Sequence, residues 1–215
     1  MSDLDRPGLD VEPRASLSLL DYRRRGAGLY AAARAAGAGE AGWRAWRAAR
    51  DDLFRTHPQS PIPPDRRPGF PGLGYFPYDP ALRFVAPVMP ARGGRVALPH
   101  SGDGTTPGRA FGAAAVTIDG RQVTMTLFRL DQYGDAVFVP FRDTTNGSET
   151  YGGGRYLLDT AKGADLGGDD HSIVLDFNYA FHPSCVHDPR WSCPLAPPEN
   201  RLPVAVRGGE RLGAP

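Results

Sequence analysis

Lysine is almost missing from this chain: Lys162 is the only one among 25 basic residues, so arginine carries the positive charge. Arginine pairs with carboxylate or phosphate through two parallel hydrogen bonds. Codon usage in a GC-rich genome would also enrich arginine together with alanine, glycine and proline, and we read most surface arginines in that way. A net charge is missing too. At a formal +1, the 215-residue chain has no global field to attract nucleic acid or an anionic membrane.

Long apolar segments are also missing. The N-terminal 25 residues contain no apolar stretch followed by a small-residue cleavage site, and no run approaches the roughly 18 apolar residues of a membrane span. We therefore expect a cytoplasmic protein without a membrane partner. Cysteine is scarce, and in that compartment Cys185 and Cys193 should be reduced unless they serve a metal or redox role.

The N-terminal part predicts helices. Residues 1–14 are polar, contain two prolines and predict a disordered tail. The segment 15–57 predicts two helices, at about 17–36 with Ser16 as N-cap and Gly37 as stop, and at about 41–56. The second helix carries Trp43, Trp46, Leu53 and Phe54 at helical spacing. Such a stripe usually packs a helix onto a domain, and we favour packing over a ligand cage.

A proline-rich strap is predicted at 58–82. It alternates proline and glycine with aromatic residues, which a disordered linker rarely contains. We expect the strap to cross the body of the domain with its rings buried.

The remainder, 83–215, predicts antiparallel β-structure. Short runs rich in Val, Ile, Phe and Thr are bounded by glycine, aspartate and asparagine, and Asp119-Gly120 is a hairpin signal. No helical pattern separates the runs, which argues against a parallel sheet. We predict an α+β fold, with the helices and strap packed on a β-sandwich or half-barrel. The predicted strands are 83–89, 95–99, 111–118, 122–130, 136–141, 155–159 and 172–178.

The segment 138–156 (FVPFRDTTNGSETYGGGRY) is the strongest candidate for a site. It combines polar side chains with a run of three glycines, which would let the backbone approach a ligand or another segment closely. It is no P-loop, because neither Gly-Lys-Ser/Thr nor a helix follows. A binding loop and a structural hairpin with neutralised arginines both fit this composition. The candidate residues are Arg142, Asp143, Glu149, Thr150, Tyr151 and Arg155.

Polar residues in the C-terminal third extend this candidate site. We predict that Asp176 and Asn178 alternate onto one face of a strand, where Arg142 or Arg155 would pair with the aspartate. A carboxylate placed there could act as a general base, and a satisfied structural carboxylate fits equally. Two further polar residues lie in the constrained C-terminal run and could turn into the same pocket: Asn200 and Glu210.

The segment HPSCVHDPRWSC contains zinc-ligand side chains at His182, Cys185, His187 and Cys193. Their spacing differs from that of zinc fingers, which use cysteines two to four residues apart, so the four are only weak metal candidates. A catalytic Cys–His pair, two buried thiols and a disulfide stay open as alternatives. Ser101 follows His100 but lacks the glycines of a nucleophile elbow. We expect no cofactor.

Three long segments, 60–84, 138–159 and 174–211, resemble the bacterial family catalogued as domain of unknown function 1684. The resemblance implies a helical N-terminal appendage on a mostly β body, and it brings no activity, substrate or cofactor. It covers most of the candidate residues named above. The chain departs from the family pattern at His182 and His187, which argues against a zinc site shared by the family. Because some relatives look exported, the resemblance makes a Cys185–Cys193 disulfide acceptable in those relatives.

Two functional hypotheses follow. In the first, Arg142 and Arg155 clamp a small anion, with Asp143, Glu149 or Asp176 as orienting group or base. Neutral hydrogen bonds would come from Tyr151 and Asn178. Such a site suits a binding protein as well as a metal-independent hydrolase or lyase. In the second, the same residues form a closed structural network and the aromatic residues of the strap meet another protein.

Overall fold

The computed structural model describes residues 13–91, 93–131 and 134–213. Helix α1 spans Pro13–Ala36 and α2 spans Glu40–Thr56. Within the described residues, eight strands follow the strap: β1 Arg83–Pro87, β2 Met89–Pro90, β3 Arg95–Pro99, β4 Thr105–Ile118, β5 Arg121–Leu130, β6 Ala136–Phe141, β7 Arg155–Asp159 and β8 Ser172–Asp176. No helix in the described ranges combines the length and apolarity needed to cross a bilayer.

Both predicted helices are present. Helix α1 begins at Pro13, four residues before the predicted start, and Ser16 lies inside it. Proline suits a first turn because it lacks only an N–H that has no helical partner there. The predicted stop at Gly37 is confirmed: its φ is +75°, and its N–H bonds back to Arg34. Of the predicted tail, residues 13 and 14 are helical, and 1–12 lie outside the described residues.

The body is antiparallel, as the α+β prediction required. Strands β2, β4, β5, β6 and β7 pair in that order, β3 also pairs with β4, and β1 pairs with β8 in a separate two-stranded sheet. The described strands form no closed barrel. The hairpin at Asp119-Gly120 is confirmed, since Ile118 pairs with Arg121 and both turn residues have positive φ.

One predicted strand is too long. Strand β8 ends at Asp176, because the Asp176 carboxylate accepts the N–H of Asn178 at 3.0 Å and caps a 3₁₀ turn over Phe177–Tyr179. The predicted alternation of Asp176 and Asn178 onto one strand face is therefore wrong. Smaller differences concern strand ends: β4 starts six residues before the predicted 111, and the predicted strand 83–89 divides into β1 and β2.

Two apolar cores hold the fold. One lies between the sheets and includes Phe141, Leu175 and Phe177. The other joins the helices and strap to the opposite sheet face, with Trp46 against Tyr179 at 4.8 Å between ring centres. Neighbours along β6 serve both cores, because successive strand side chains point to opposite faces: Phe138 belongs to the second core and Val139 to the first.

The strap lies across this second core. Its rings at Tyr75 and Phe76 are buried, and Phe70 and Tyr78 are half-buried. The predictions that the strap packs on the body and that Trp43 and Trp46 pack α2 onto it are both confirmed.

Candidate functional site

Arg155 opens β7 in a fully buried position, and protein oxygens occupy both of its terminal nitrogens. Nη2 donates to the Asp143 carboxylate and to the carbonyl of Val206, each at 2.7 Å. Nη1 donates to the carbonyls of Gly208 and Glu210. Nε is buried without a hydrogen-bond partner in the described part of the chain. This guanidinium therefore ties the loop after β6 to the C-terminal segment, and we assign it to the framework.

The loop after β6 is closed on itself. The second oxygen of the Asp143 carboxylate accepts from the backbone and hydroxyl of Thr145. That hydroxyl lies 2.9 Å from the hydroxyl of Thr150, which also accepts from the Asn146 amide. The carboxylate and both hydroxyls are buried. These bonds fix the loop geometry, which is the structural reading of the segment.

The other predicted residues of this loop lie nearer its surface. Arg142 is half-buried, and its backbone pairs with that of Asn200 and Leu202. Glu149 pairs with Arg207 at the surface, with 2.8 Å between Nη2 and Oε1. The hydrogen bond from Arg207, together with its positive charge, lowers the pKa of Glu149. The structure thus brings Arg155 and Asp143 together but places Glu149 on a different arginine.

Asp176 and Asn178 form a second closed network, directed at the strap. The side-chain amide of Asn178 donates to Asp176 at 2.9 Å and exchanges two bonds with the backbone of Asp79. The backbone carbonyl of Asn178 accepts the indole N–H of Trp43 at 2.7 Å. The arginine beside the Asp176 carboxylate is Arg83, at 3.7 Å, instead of Arg142 or Arg155. Desolvation raises the pKa of Asp176 despite these bonds.

The side-chain amide of Asn200 also forms its hydrogen bonds with the protein backbone. Its amide is fully buried, accepts from the N–H of Thr126 and donates to the carbonyls of Thr126 and Pro140. It therefore fastens the C-terminal segment across β5 and β6.

Glu210 connects four parts of the molecule. One carboxylate oxygen forms an ion pair with Arg50 of α2 and lies 3.4 Å from the hydroxyl of Tyr75 in the strap. The other accepts the backbone N–H of His182 at 2.7 Å. Its backbone carbonyl binds Arg155. This residue does turn inward, as predicted, and it joins the framework around Arg155 to a second buried arginine on the helical side.

That second arginine lies at the wall of a cavity of about 260 Å³, which we call the helix–loop cavity. Helices α1 and α2 form one side of it and the segment 181–191, which we call the His-Cys loop, forms the other. At about 30 Å³ per molecule it has room for roughly nine waters. Its lining includes the apolar residues Leu29, Tyr30, Leu53, Phe54 and Phe181.

The charged side chains of this cavity are all cations. Arg23, Arg50 and Lys162 line it, and no carboxylate does among the described residues. Lys162 pairs with Asp159 at 2.9 Å. Burial lowers the pKa of Lys162, but the Asp159 carboxylate outweighs burial and raises it, so the ammonium stays charged. The two carboxylate partners, Asp159 and Glu210, lie behind the cations and outside the lining.

Several N–H donors of the Arg50 guanidinium have no acceptor among the described residues. It is 6% exposed, and its ring neighbours Phe54 and Phe181 lie 4.6 and 5.4 Å from the guanidinium carbon. Within the described part of the chain its hydrogen bonds come from Nη1 alone, to Tyr75 and Glu210. A guanidinium carries five N–H donors, so three of them stay available beside an apolar wall.

Two histidines separate this cavity from a second one. His182 and His187 line both the helix–loop cavity and a cavity of about 490 Å³ between the strap and the C-terminal segment, the strap cavity. Burial lowers the pKa of His182 to about 3 and that of His187 to about 4, so both rings are neutral at pH 7. The Nε2 atom of His182 accepts the N–H of Tyr151, whereas Nε2 of His187 has no partner among the described residues.

The four weak metal candidates do not converge. His182 is engaged by Tyr151 and Glu210, and His187 lies edge-on to Phe54. Cys185 and Cys193 are close to each other and carry free thiols. Among the described residues, no group of three or more His, Cys, Asp or Glu side chains could hold a metal ion.

Sequence reasoning missed the cationic wall of the cavity. A signal was present, because Arg50 falls four residues after Trp46 and four before Phe54, inside the apolar stripe of α2. An arginine on the buried face of an amphipathic helix calls for a partner or a ligand. Lys162 carried no comparable signal, since only the fold brings it across to α1.

The fold and cavity define a class: an α+β protein in which two N-terminal helices cover an antiparallel body and enclose a small, cation-lined cavity. The chain belongs to the family described as Protein of unknown function (DUF1684), whose model matches residues 68–211. It is similar to a solution NMR structure of the uncharacterized protein from gene locus rrnAC0354 of Haloarcula marismortui. The two share 38% identity with a TM-score of 0.56, over 78% of this chain and 91% of that one. No curated protein matches the chain.

Proposed function

We propose that this protein binds a compact organic anion in the helix–loop cavity. The apolar body of the ligand lies against Leu53, Phe54 and Phe181. Its carboxylate or phosphate accepts hydrogen bonds from Arg50, and Lys162 at the edge adds charge. The proposed ligand is an anion, as expected from the sequence. Its proposed site is on the helical side of the domain instead of the loop after β6.

The spare donors of Arg50 carry this proposal. A buried guanidinium that uses one of its terminal nitrogens leaves polar N–H groups beside aromatic rings, and such groups cost free energy until an acceptor arrives. Water can fill that place, but an anion with an apolar body satisfies the donors and covers the aromatic wall together. No lining carboxylate among the described residues opposes the negative charge.

The histidines refine the expected ligand. Both are neutral at pH 7, so the positive charge of the cavity comes from Arg23, Arg50 and Lys162 alone. The Nε2 atom of His187 is buried and closed to the cavity, so it offers the ligand no contact. Because Arg50 and Lys162 already pair with the carboxylates of Glu210 and Asp159, a single anionic group fits better than a polyphosphate.

A pair of small probes tests the proposal. Phenylacetate and its neutral amide phenylacetamide have nearly the same shape and differ in charge. Binding at ten times Kd stabilises a protein by about 1.4 kcal/mol, which raises the Tm of a chain of this size by about 3 °C. We expect this shift with phenylacetate, or with hexanoate as a second carboxylate, and little shift with either amide. Equal responses to acid and amide, or none to any probe at millimolar concentration, would contradict the proposal.

A second candidate function is a structural or partner-binding module. The closed networks around Arg155, Asn178 and Asn200 favour it for the loop after β6. The strap is not its partner surface, because Tyr75 and Phe76 are buried. The exposed apolar residues Val85, Met89 and Phe111 lie on the sheets instead. This candidate predicts that no small anion stabilises the protein.

A further inference from the structure

Two thiols lie side by side: Cys185 in the His-Cys loop and Cys193, two residues after the end of that loop. Cys185 lies in a 3₁₀ turn, Ser184–Val186, and is half-buried, whereas Cys193 is buried at 6% exposure. Their side chains are in hydrogen-bond contact, and both are free. Neither thiol is needed for the proposed ligand site, because neither lines the helix–loop cavity.

The surroundings make the two thiols unequal. Cys185 is also in contact with the hydroxyl of Tyr151, at 3.9 Å from Sγ, and with the hydroxyl of Ser101. Cys193 is held by its backbone, which exchanges two hydrogen bonds with Ser101 at 2.9 and 3.1 Å. The hydrogen bond from Cys193 lowers the pKa of the Cys185 thiol, and the same contact raises the pKa of Cys193. The accessible sulfur is thus the better nucleophile.

From this arrangement we infer that Cys185 and Cys193 are a reactive dithiol site, in which Cys185 is oxidised by a hydroperoxide and Cys193 closes an intramolecular disulfide. The site is independent of the ligand that the helix–loop cavity takes.

The two steps balance with hydrogen peroxide as oxidant. The Cys185 thiolate attacks one peroxide oxygen, so an S–O bond forms and the O–O bond breaks. The hydroxide that leaves takes up a proton as water, and Cys185 becomes a sulfenic acid. The Cys193 sulfur then attacks the Cys185 sulfur, the S–S bond forms, the S–O bond breaks, and hydroxide leaves with the Cys193 proton as a second water. Overall, two thiols are oxidised and one peroxide is reduced.

The experiment exposes the reduced full-length protein to hydrogen peroxide and follows each cysteine by alkylation and mass spectrometry. In the wild-type chain we expect both thiols to disappear together, the mass to fall by two hydrogen atoms, and dithiothreitol to restore both. In Cys193→Ser, a sulfenic acid at Cys185 should accumulate and be trapped by dimedone. In Cys185→Ser, Cys193 should react at least about tenfold more slowly than Cys185 does in Cys193→Ser, because Cys193 is buried.

Three results would overturn the inference: both thiols surviving peroxide in the wild-type chain, disulfides forming between chains, or Cys193 reacting as fast alone as Cys185 does. Both serine variants keep the side-chain size, and circular dichroism checks their folding. Where a variant fails to fold, dimedone trapping in the wild-type chain still decides, because the inference places the transient sulfenic acid on Cys185 and not on Cys193. None of these readouts depends on ligand binding.

Discussion

Two buried arginines, Arg155 and Arg50, occupy contrasting surroundings in the same molecule. Each is paired with a carboxylate, and both connect to Glu210, the first through its carbonyl and the second through its side chain. The Arg155 guanidinium spends both terminal nitrogens on protein oxygens, while the Arg50 guanidinium faces a cavity with donors left over. Burial and charge alone do not mark a binding residue. The difference lies in whether protein oxygens take up both terminal nitrogens of the guanidinium.

We expect the largest loss of stability when Arg155, the arginine enclosed by protein oxygens, is replaced. Arg155→Ala leaves the Asp143 carboxylate buried without its cation and frees three backbone carbonyls. Removing one partner of a buried ion pair costs about 3–5 kcal/mol. Urea denaturation should show that loss in the free energy of unfolding. The comparison would fail if Arg155→Ala unfolded at the same urea concentration as the wild-type chain and lost only ligand binding.

The pH dependence of the free energy of unfolding tests the cavity side of the comparison through His182. The folded pKa of His182, about 3, lies below the ordinary value of 6.5, so the unfolded chain takes up a proton first as the pH falls. Stability from this neutral ring is therefore complete above pH 6.5 and declines from there toward pH 3. Between pH 7 and pH 5 the loss is about 1–2 kcal/mol. His182→Gln, which can still accept the Tyr151 N–H, should show a pH dependence weaker by that amount in urea denaturation at both pH values. An unchanged pH dependence would contradict a buried neutral His182.

A smaller effect is expected at the edge of the cavity. The Lys162 side chain is 55% exposed and its partner Asp159 is buried, so Lys162→Met should lower the free energy of unfolding by about 1 kcal/mol, less than the loss of a fully buried pair. If its ammonium contributes charge to the ligand site, phenylacetate should bind about three- to fivefold more weakly, in line with a partly solvated ion pair. The Kd from isothermal titration provides the measurement. An unchanged affinity would show that Lys162 does not contribute to the ligand site, and Arg50 would be the remaining candidate.

The smallest effect is expected at the surface of the loop after β6. Arg207 pairs with Glu149, but its side chain is 63% exposed. Exposed ion pairs contribute about 0–1 kcal/mol, so Arg207→Ala should unfold nearly like the wild-type chain. It serves as the matched control for Arg155→Ala, because both substitutions remove an arginine that binds a carboxylate of the same loop. A loss as large as that of Arg155→Ala would mean that the loop, and not burial, determines the cost.

Local patterns predicted most of the fold. The stripe Trp43, Trp46, Leu53 and Phe54 identified the buried face of α2, and Asp119-Gly120 located the hairpin between β4 and β5. Strand β8 was overextended because the capping role of Asp176 depends on a side-chain geometry that alternation does not show. Such patterns involve only a few neighbouring residues. They were therefore sufficient to predict the helices and strands but not the residues at which these elements end.

The site was harder to predict, because it depends on contacts between distant segments. The composition of the segment 138–156 singled out its arginines and carboxylates without assigning partners, and Arg155 and Asp143 form an ion pair in the structure. It could not show that carbonyls some fifty residues later would accept hydrogen bonds from both terminal nitrogens of Arg155. The cavity combines α1, α2 and the His-Cys loop, and no single segment carries its pattern.

Two glycines of α1 provide the most direct test of the central claim. Gly26 lines the helix–loop cavity, and a Cβ there would lie 3.7 Å from the nearest atom, the carbonyl oxygen of Lys162. Gly28 is exposed, with nothing near its Cβ position. Leucine favours a helix over glycine equally at both sites. Isothermal titration with phenylacetate should give a Kd for Gly28→Leu within about twofold of wild type, and binding at least about tenfold weaker for Gly26→Leu. Equal binding by both variants would contradict the account, because the anion would then lie outside the cavity.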